Sequence, residues 1–299
     1  MRSRPTALTS PASCSTGRRR EVLADRLVRR GRLALLAVAL LLVSARPAYA
    51  AGPLVAAHRG GAALWPENSL LAYRGALALG VDLLETDVHL TADGEVIVLH
   101  DPTLDRTTTG AGPVRDARRA DLAPLRLRAR DGSATQEPIP TLGELLALLR
   151  PGPAELLLEI KVGPHRQPYS GIEAKTLAHV RAAGVLDRVI VMAFEAETLR
   201  RVRALDPQVR MALLVSRSRV TGEGGGPAAP VRWATEAGAT HLGIDHRVVE
   251  AGVVAAARHA GLKVAVWTVN DESDLRRVLD LGVDVVITDR PDLALRLRR

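Results

Sequence analysis

The stretch Leu83–His100, LLETDVHLTADGEVIVLH, decides how the chain folds. Leu83–Leu90 is a run of strand length and Glu95–Leu99 is another, yet only Thr91-Ala92-Asp93-Gly94 separates them. Parallel neighbours need a crossover of a dozen or more residues, so this pair is expected to form an antiparallel hairpin. Asp-Gly suits a two-residue turn because both positions tolerate positive φ. With Ala92 opposite Glu95, the register puts Asp87 opposite His100.

The hairpin interrupts a chain that otherwise alternates. Apolar runs of strand length recur at Leu54–Ala57, Leu83–Leu90, Glu155–Ile160, Val189–Ala193, Met211–Val215, Thr240–Ile244, Lys263–Val269 and Val285–Thr288. Helical spacing of apolar residues marks Thr141–Leu149, Ile172–Ala183, Glu195–Leu205, Val248–His259 and Glu272–Leu281 between them. Such alternation predicts a parallel sheet. Eight strands within residues 51–299 match the (β/α)8 TIM barrel, of roughly 250 residues, better than an open doubly wound sheet. The expected architecture is therefore α/β: a single-domain barrel with a β-hairpin and a short excursion after its second strand. Pro102–Pro140, rich in Arg, Thr, Gly and Pro, is that excursion, and the Gly-rich Gly222–Pro230 is expected to be a flexible loop.

Charge is distributed unevenly. The 299 residues carry a formal +8, and residues 1–50 hold ten arginines against Glu21 and Asp25, which accounts for all of it. The remainder is neutral, so nucleic acid is not an expected partner. Within the first 50 residues, Arg18-Arg19-Arg20 and Arg29-Arg30 precede the apolar run Leu33–Val43 and the small-residue end Ala48-Tyr49-Ala50. That is the order of a secretory signal peptide, and cleavage is expected after Ala50. The run is shorter than a bilayer span, which disfavours an uncleaved anchor and a stable membrane span in the mature chain. Arg29-Arg30 leaves both the general and the twin-arginine export routes open. A secreted or extracytoplasmic location follows as an expectation. The single cysteine, Cys14, lies in the leader, so a disulfide framework, a thiolate metal site and a cysteine nucleophile are all excluded after cleavage.

Barrels of this kind place their chemistry where strands end at the carboxyl face. The first strand here ends in His58-Arg59, the second carries Glu85 and Asp87, the hairpin returns to His100-Asp101, and the next barrel strand ends in Glu159-Ile160-Lys161. Residues two apart on a strand share a face, so Glu85 with Asp87, and Glu159 with Lys161, can converge over the barrel mouth. Three carboxylates without cysteine or a His-x3-His pair make a hard oxygen site that suits Ca²⁺ or Mg²⁺ rather than zinc, with Ca²⁺ favoured outside the cytoplasm. Two imidazoles beside such an ion, with Arg59 and Lys161 as fixed cations, suit phosphodiester cleavage, one histidine taking a proton and the other giving one. His89, His179, His241, His246 and His259 are read as surface or packing residues. Neither a Walker-type loop nor a G-x-G-x-x-G turn is present, so no nucleotide cofactor is indicated.

The segment AHRGGAALWPENSLLAYRGALALGVDLLETDVHLTADGEVIVLHDPTLDRTTTG, residues 57–110, resembles the signature of the glycerophosphodiester phosphodiesterase family, and IPTLGELLALL, LLLEIK, VWTVN and GVDVVITDRPD continue it in order. The resemblance covers about residues 54–295. It implies a TIM barrel that uses a divalent metal to hydrolyse small-molecule glycerophosphodiesters, such as glycerophosphocholine, to sn-glycerol 3-phosphate and an alcohol. It also implies roles: His58 and His100 as acid and base, Glu85, Asp87 and Glu159 as metal ligands, Arg59 and Lys161 as phosphate contacts, Trp267 as a wall on the alcohol side, and Glu67 with Asn68 as support. Ser69 stands where the family more often has threonine, a change that keeps an N-cap hydroxyl. Two other functions were weighed. A lysophospholipid or sphingophospholipid phosphodiesterase on a similar barrel would need an apolar trough, to which Leu64 and Trp65 could contribute. A secreted phosphodiester-binding protein would not need two histidines. Oligomeric state is not legible.

Overall fold

The computed structural model describes residues 52–298; the expected leader and its cleavage site at Ala50 lie outside them. Nine strands occur among the described residues: β1 (Leu54–Ala57), β2 (Leu83–Leu90), β3 (Val96–Val98), β4 (Glu155–Ile160), β5 (Val189–Ala193), β6 (Arg210–Val215), β7 (His241–Asp245), β8 (Lys263–Trp267) and β9 (Val285–Thr288). Hydrogen-bonded order runs β1-β9-β8-β7-β6-β5-β4-β2, and β1 also pairs with β2, so these eight parallel strands close on themselves. The protein is a (β/α)8 barrel, with helices such as Leu70–Leu79, Leu142–Leu149 and Ile172–Ala183 between strands.

Strand periodicity separates two cores. Ala56, Leu83, Leu157, Met192, Leu214 and Ile287 are buried together inside the barrel. Leu84, Leu156, Leu158, Val191 and Val286, one residue out of phase, pack outward against the helices. Because Leu83 and Leu157 point inward, Glu85, Asp87 and Glu159 point inward as well, nearer the carboxyl ends.

β3 pairs antiparallel with β2, as the hairpin predicts, but in a different register: Val88 faces Val98, His89 faces Ile97 and Leu90 faces Val96. The Leu99 amide donates to the Asp87 carbonyl (3.1 Å), so Leu99, not His100, lies opposite Asp87. Thr91 and Glu95 close a three-residue loop, Ala92-Asp93-Gly94, in which only Gly94 has positive φ (84°). A two-residue turn would have needed Asp93 there too, and the longer loop avoids that strain.

The Pro102–Pro140 excursion is more ordered than its composition suggests. Leu104, Val114, Leu122, Leu127 and Ile139 bury a small core of their own with Ile97 and Leu99. A bridge between Arg128 and Ala134 folds a minor hairpin with Asp131-Gly132 near its tip. The expected loop at Gly222–Pro230 is also shorter than its glycines imply. One helix runs through Glu223 and the next begins at Ala228, since apolar contacts of Ala229 and Val231 outweigh the local preference of Gly and Pro.

Candidate active site

β1 ends at Ala57, and the chain turns sharply through His58–Gly60 with Arg59 at φ 50°, a conformation uncommon outside glycine. That turn aims the Arg59 amide at Glu85 Oε2 (2.8 Å). Gly60 follows at φ 82°, and a Cβ there would stand 2.7 Å from the Ala72 Cβ, so the helix Leu70–Leu79 leaves room for glycine alone. Ser69 caps that helix, its hydroxyl accepting from the Ala72 amide (3.0 Å).

β1 pairs with β2 only at Leu83 and Leu84, and β3 takes up β2 from Val88 onward. Glu85 and Asp87 occupy the gap, and on the other side of β2 Asp87 is in register with Glu159. Carboxylate oxygens of Glu85, Asp87 and Glu159 all lie within 4.8 Å of one another, and the three residues are 2%, 1% and 7% exposed. Lys161 Nζ approaches Glu159 (2.8 Å) and Asp87 (3.4 Å), and Arg59 Nε lies 3.5 Å from Asp87. Asp87 Oδ1 nevertheless makes no hydrogen bond.

Electrostatics follow from this crowding. Burial, then repulsion from Asp87, pushes Glu85 well above the usual carboxylate range. Burial likewise pushes Glu159 up to about 7, against the pull of Lys161. Burial would also raise Asp87, but Lys161 and Arg59 outweigh it and hold its carboxyl well below the usual range. A divalent ion fits this donor set: oxygens only, three carboxylates against two cations, and one oxygen without a hydrogen bond.

Asn68, at φ 57°, holds Asp87 in place by donating from Nδ2 to Oδ2 (3.0 Å), while its own Oδ1 accepts from the Tyr73 hydroxyl (2.7 Å). Glu67 accepts from Arg59 Nη1 (2.9 Å) and from Arg106 (2.9 Å). Both residues of the Pro-Glu-Asn element thus act on charged groups rather than on open solvent.

The two histidines are built alike. His58 Nδ1 lies 2.6 Å from Asp289 Oδ1, and His100 Nδ1 lies 2.6 Å from Asp101 Oδ1. A carboxylate only accepts, so each Nδ1 carries hydrogen and each Nε2 is left to exchange a proton. Burial lowers the His100 pKa, against the attraction of Asp87. His89, which burial brings down to about 4, lies against the His100 carbonyl through Nε2 (3.0 Å) and takes Tyr169's hydroxyl at Nδ1 (2.9 Å).

A cavity of about 90 Å³ brings His58, Arg59, Glu85, His100, Glu159 and Lys161 together. Trp267 and Phe194 wall it, edge to face with ring centroids 5.4 Å apart. The register change therefore does not remove His100 from the site.

Asp289, Asn270, Arg106 and Phe194 are not singled out by the sequence, and Asp101 stands there only as a charged strand end. Asp101 was open to discovery as the neighbour of His100. Asp289 and Asn270, which donates to Asp289 Oδ2 (2.7 Å), lie in the TDRPD and VWTVN segments but more than 200 residues from His58.

A closed α/β barrel with two carboxylate-held histidines and a carboxylate cluster at its carboxyl face is the framework of a phosphoric diester hydrolase. Residues 58–293 match the glycerophosphoryl diester phosphodiesterase family model. The chain belongs to that family and is an enzyme. It is 33% identical to a glycerophosphodiester phosphodiesterase of Caldanaerobacter subterraneus subsp. tengcongensis over 82% of this chain and 98% of that protein. It resembles a glycerophosphodiester phosphodiesterase crystal structure from Agrobacterium tumefaciens (TM-score 0.66, 28% identity, 81% of this chain and 99% of the other). It also resembles a phosphodiesterase of Oleispira antarctica solved with the product sn-glycerol-3-phosphate (TM-score 0.67, 29% identity, 83% and 97%). Among the described residues no helix is long and apolar enough to cross a membrane.

Proposed function

We propose that the enzyme hydrolyses glycerophosphodiesters to sn-glycerol 3-phosphate and an alcohol, with His58 and His100 as the acid–base pair. The observation that carries this reading is the matched orientation of the two imidazoles, each held at Nδ1 by a carboxylate and each lining the same cavity as Glu85 and Glu159, beside which Asp87 completes the carboxylate cluster. Arg59 and Lys161 bind the phosphoryl oxygens, and Trp267 with Phe194 covers the carbon skeleton. Glu85, Asp87 and Glu159 would hold Ca²⁺ or Mg²⁺, which supplies positive charge to the phosphoryl centre when bound.

His100, kept neutral by burial, accepts the proton of the attacking hydroxyl at Nε2. His58, oriented through Nδ1 by Asp289, gives its Nε2 proton to the departing alkoxide. One P–O bond forms as the other breaks, and the proton count balances across the two rings. The nucleophile is water or the glycerol 2-hydroxyl, the latter by way of a cyclic phosphate. The Oleispira relative's product complex supports glycerol 3-phosphate as the retained half. Order along the first 50 residues supports export and trimming after Ala50.

The deciding assay incubates purified enzyme with glycerophosphocholine and with lysophosphatidylcholine, each with Ca²⁺, Mg²⁺ or excess chelator. Glycerol 3-phosphate released only with metal is the expected result. Turnover of the lysolipid alone would favour the lysophospholipid reading, and full turnover in chelator would remove the metal. N-terminal sequencing of the exported protein tests trimming, with a chain beginning at Met1 as the contrary outcome.

A further inference from the structure

Two larger cavities flank the central one, and their charges differ. On the His100 side, a cavity of about 350 Å³ takes in Lys161, Arg166 and Glu195. Its cations are paired: Arg166 with Glu195 (2.6 Å) and Lys161 with Glu159 (2.8 Å). On the His58 side, a cavity of about 620 Å³ is lined by Trp65, Arg106, Arg128 and Arg130 together with His58 and Arg59.

The carboxylates of this second cavity are already engaged. Glu67 accepts from Arg59 and Arg106, and Asp289 from His58 and Asn270. Asp131 turns back to the Ser133 amide (2.9 Å) and hydroxyl (2.6 Å), neutral donors that leave its one negative charge against the two guanidinium groups of Arg128 and Arg130. Arg128 is held by neutral acceptors, Nε donating to the Thr108 carbonyl (2.8 Å) and Nη1 to the Gly132 carbonyl (2.9 Å). Its charge is thus fixed in place without being cancelled. Arg130, two residues on, makes no hydrogen bond or ion pair among the described residues. An ammonium head group would meet these cations with Trp65 as its one flat aromatic face, whereas an anion would meet the Arg130 guanidinium and the remaining Nη2 of Arg128.

We propose that the His58-side cavity receives the head group of the leaving alcohol, and that Arg128 and Arg130 select head groups bearing a carboxylate or phosphate. This rests on the phosphodiesterase reading, with His58 giving its proton toward that side. Both arginines belong to the minor hairpin of the Pro102–Pro140 excursion, so specificity would be set by the segment added to the barrel.

Glycerophosphoserine and glycerophosphoethanolamine differ by one carboxylate and make the test. With the full chain at low ionic strength, kcat/KM is expected to favour the serine compound roughly ten-fold, the weight of one charge-assisted hydrogen bond, and the preference should shrink as salt is added. Arg130→Ala and Arg128→Ala should each pull the ratio toward one, the double variant furthest, while Arg130→Lys keeps most of it. Should Arg128→Ala fail to fold, Arg130→Ala at the exposed end of the hairpin still decides. Equal kcat/KM for the two substrates, or a ratio indifferent to the double variant, overturns the subsite alone. Absence of turnover on both overturns the phosphodiesterase reading and the subsite with it.

Discussion

The two halves of the barrel mouth are chemically opposite. β1 and β4 end in His58-Arg59 and Glu159 with Lys161, and β2 carries Glu85 and Asp87, whereas β5, β6 and β8 bring Met192, Phe194, Leu214 and Trp267 to the cavity that His58, Glu85 and Glu159 also line. Even the carboxylate ending β7 is closed off, because Asp245 accepts from the Arg247 amide (2.9 Å) and from its guanidinium (2.9 and 2.6 Å). Charge is concentrated where β1 leaves β2 unpaired, and the apolar half provides shape. The division suits a substrate with an ionic centre and a carbon skeleton, since each part is desolvated only by the half that compensates it.

The sharpest way to break this division is to remove an imidazole. His58→Ala and His100→Ala should each lower kcat by about 10²–10⁴-fold while far-ultraviolet circular dichroism stays native. A variant retaining a tenth of the activity would dissolve the two-histidine reading. Next in size are the orienting carboxylates: Asp289→Asn and Asp101→Asn should cost about 10–100-fold in kcat with little change in KM, by analogy with other groups that orient a working histidine. A smaller effect is expected in the apolar half, where Trp267→Ala should raise KM about ten-fold and spare kcat, a loss of contact surface rather than of proton transfer. If steady-state kinetics showed Trp267→Ala lowering kcat as far as His58→Ala, the two halves would not be separable. His179→Ala, on the helix Ile172–Ala183 and outside the cavity, should change neither constant measurably.

The carboxylate cluster sharpens the comparison from another side. Glu159 has its pKa raised to about 7, and Glu85 is raised as well, so in the metal-free protein below about pH 7 Glu159 holds a proton that an incoming cation must displace. Metal affinity should therefore weaken as pH falls through about 7 and strengthen above it. Calorimetry of Ca²⁺ binding in two buffers of different ionisation enthalpy should show more proton release near pH 6.5 than at pH 8.5, where Glu159 is already ionised. Affinity independent of pH would mean that the three carboxylates do not act as the ligand set.

Local signals in the chain were dependable when they concerned period. Leu83–Leu90, Glu155–Ile160 and Val189–Ala193 are strands as their patterns predict, and the two-residue phase put Glu85, Asp87 and Glu159 on one face. The turn was less dependable. Asp93-Gly94 serves equally in a two-residue turn and at the end of a three-residue loop, so the hairpin was legible while its register was not. The excursion was legible as an interruption of the barrel but its interior was not: its small core draws Leu104, Val114, Leu122 and Leu127 from irregular segments, and irregular backbone leaves no repeat to detect.

By itself, the sequence determined the alternation of strands and helices, the chemistry placed at each strand end, and the position of the hairpin, because all three depend on neighbours within a few residues. Tertiary structure alone decided which strand ends meet. Closure pairs β1 with β9, in register from Leu54 with Val285 to Ala57 with Thr288, and this carries Asp289 to the His58 imidazole across 231 positions of chain. Folding of the excursion likewise carries Arg106 to Glu67, and Arg128 and Arg130 to the cavity beside His58. Contacts of this kind depend on the packing of the whole barrel and leave no periodic mark in the residues that make them.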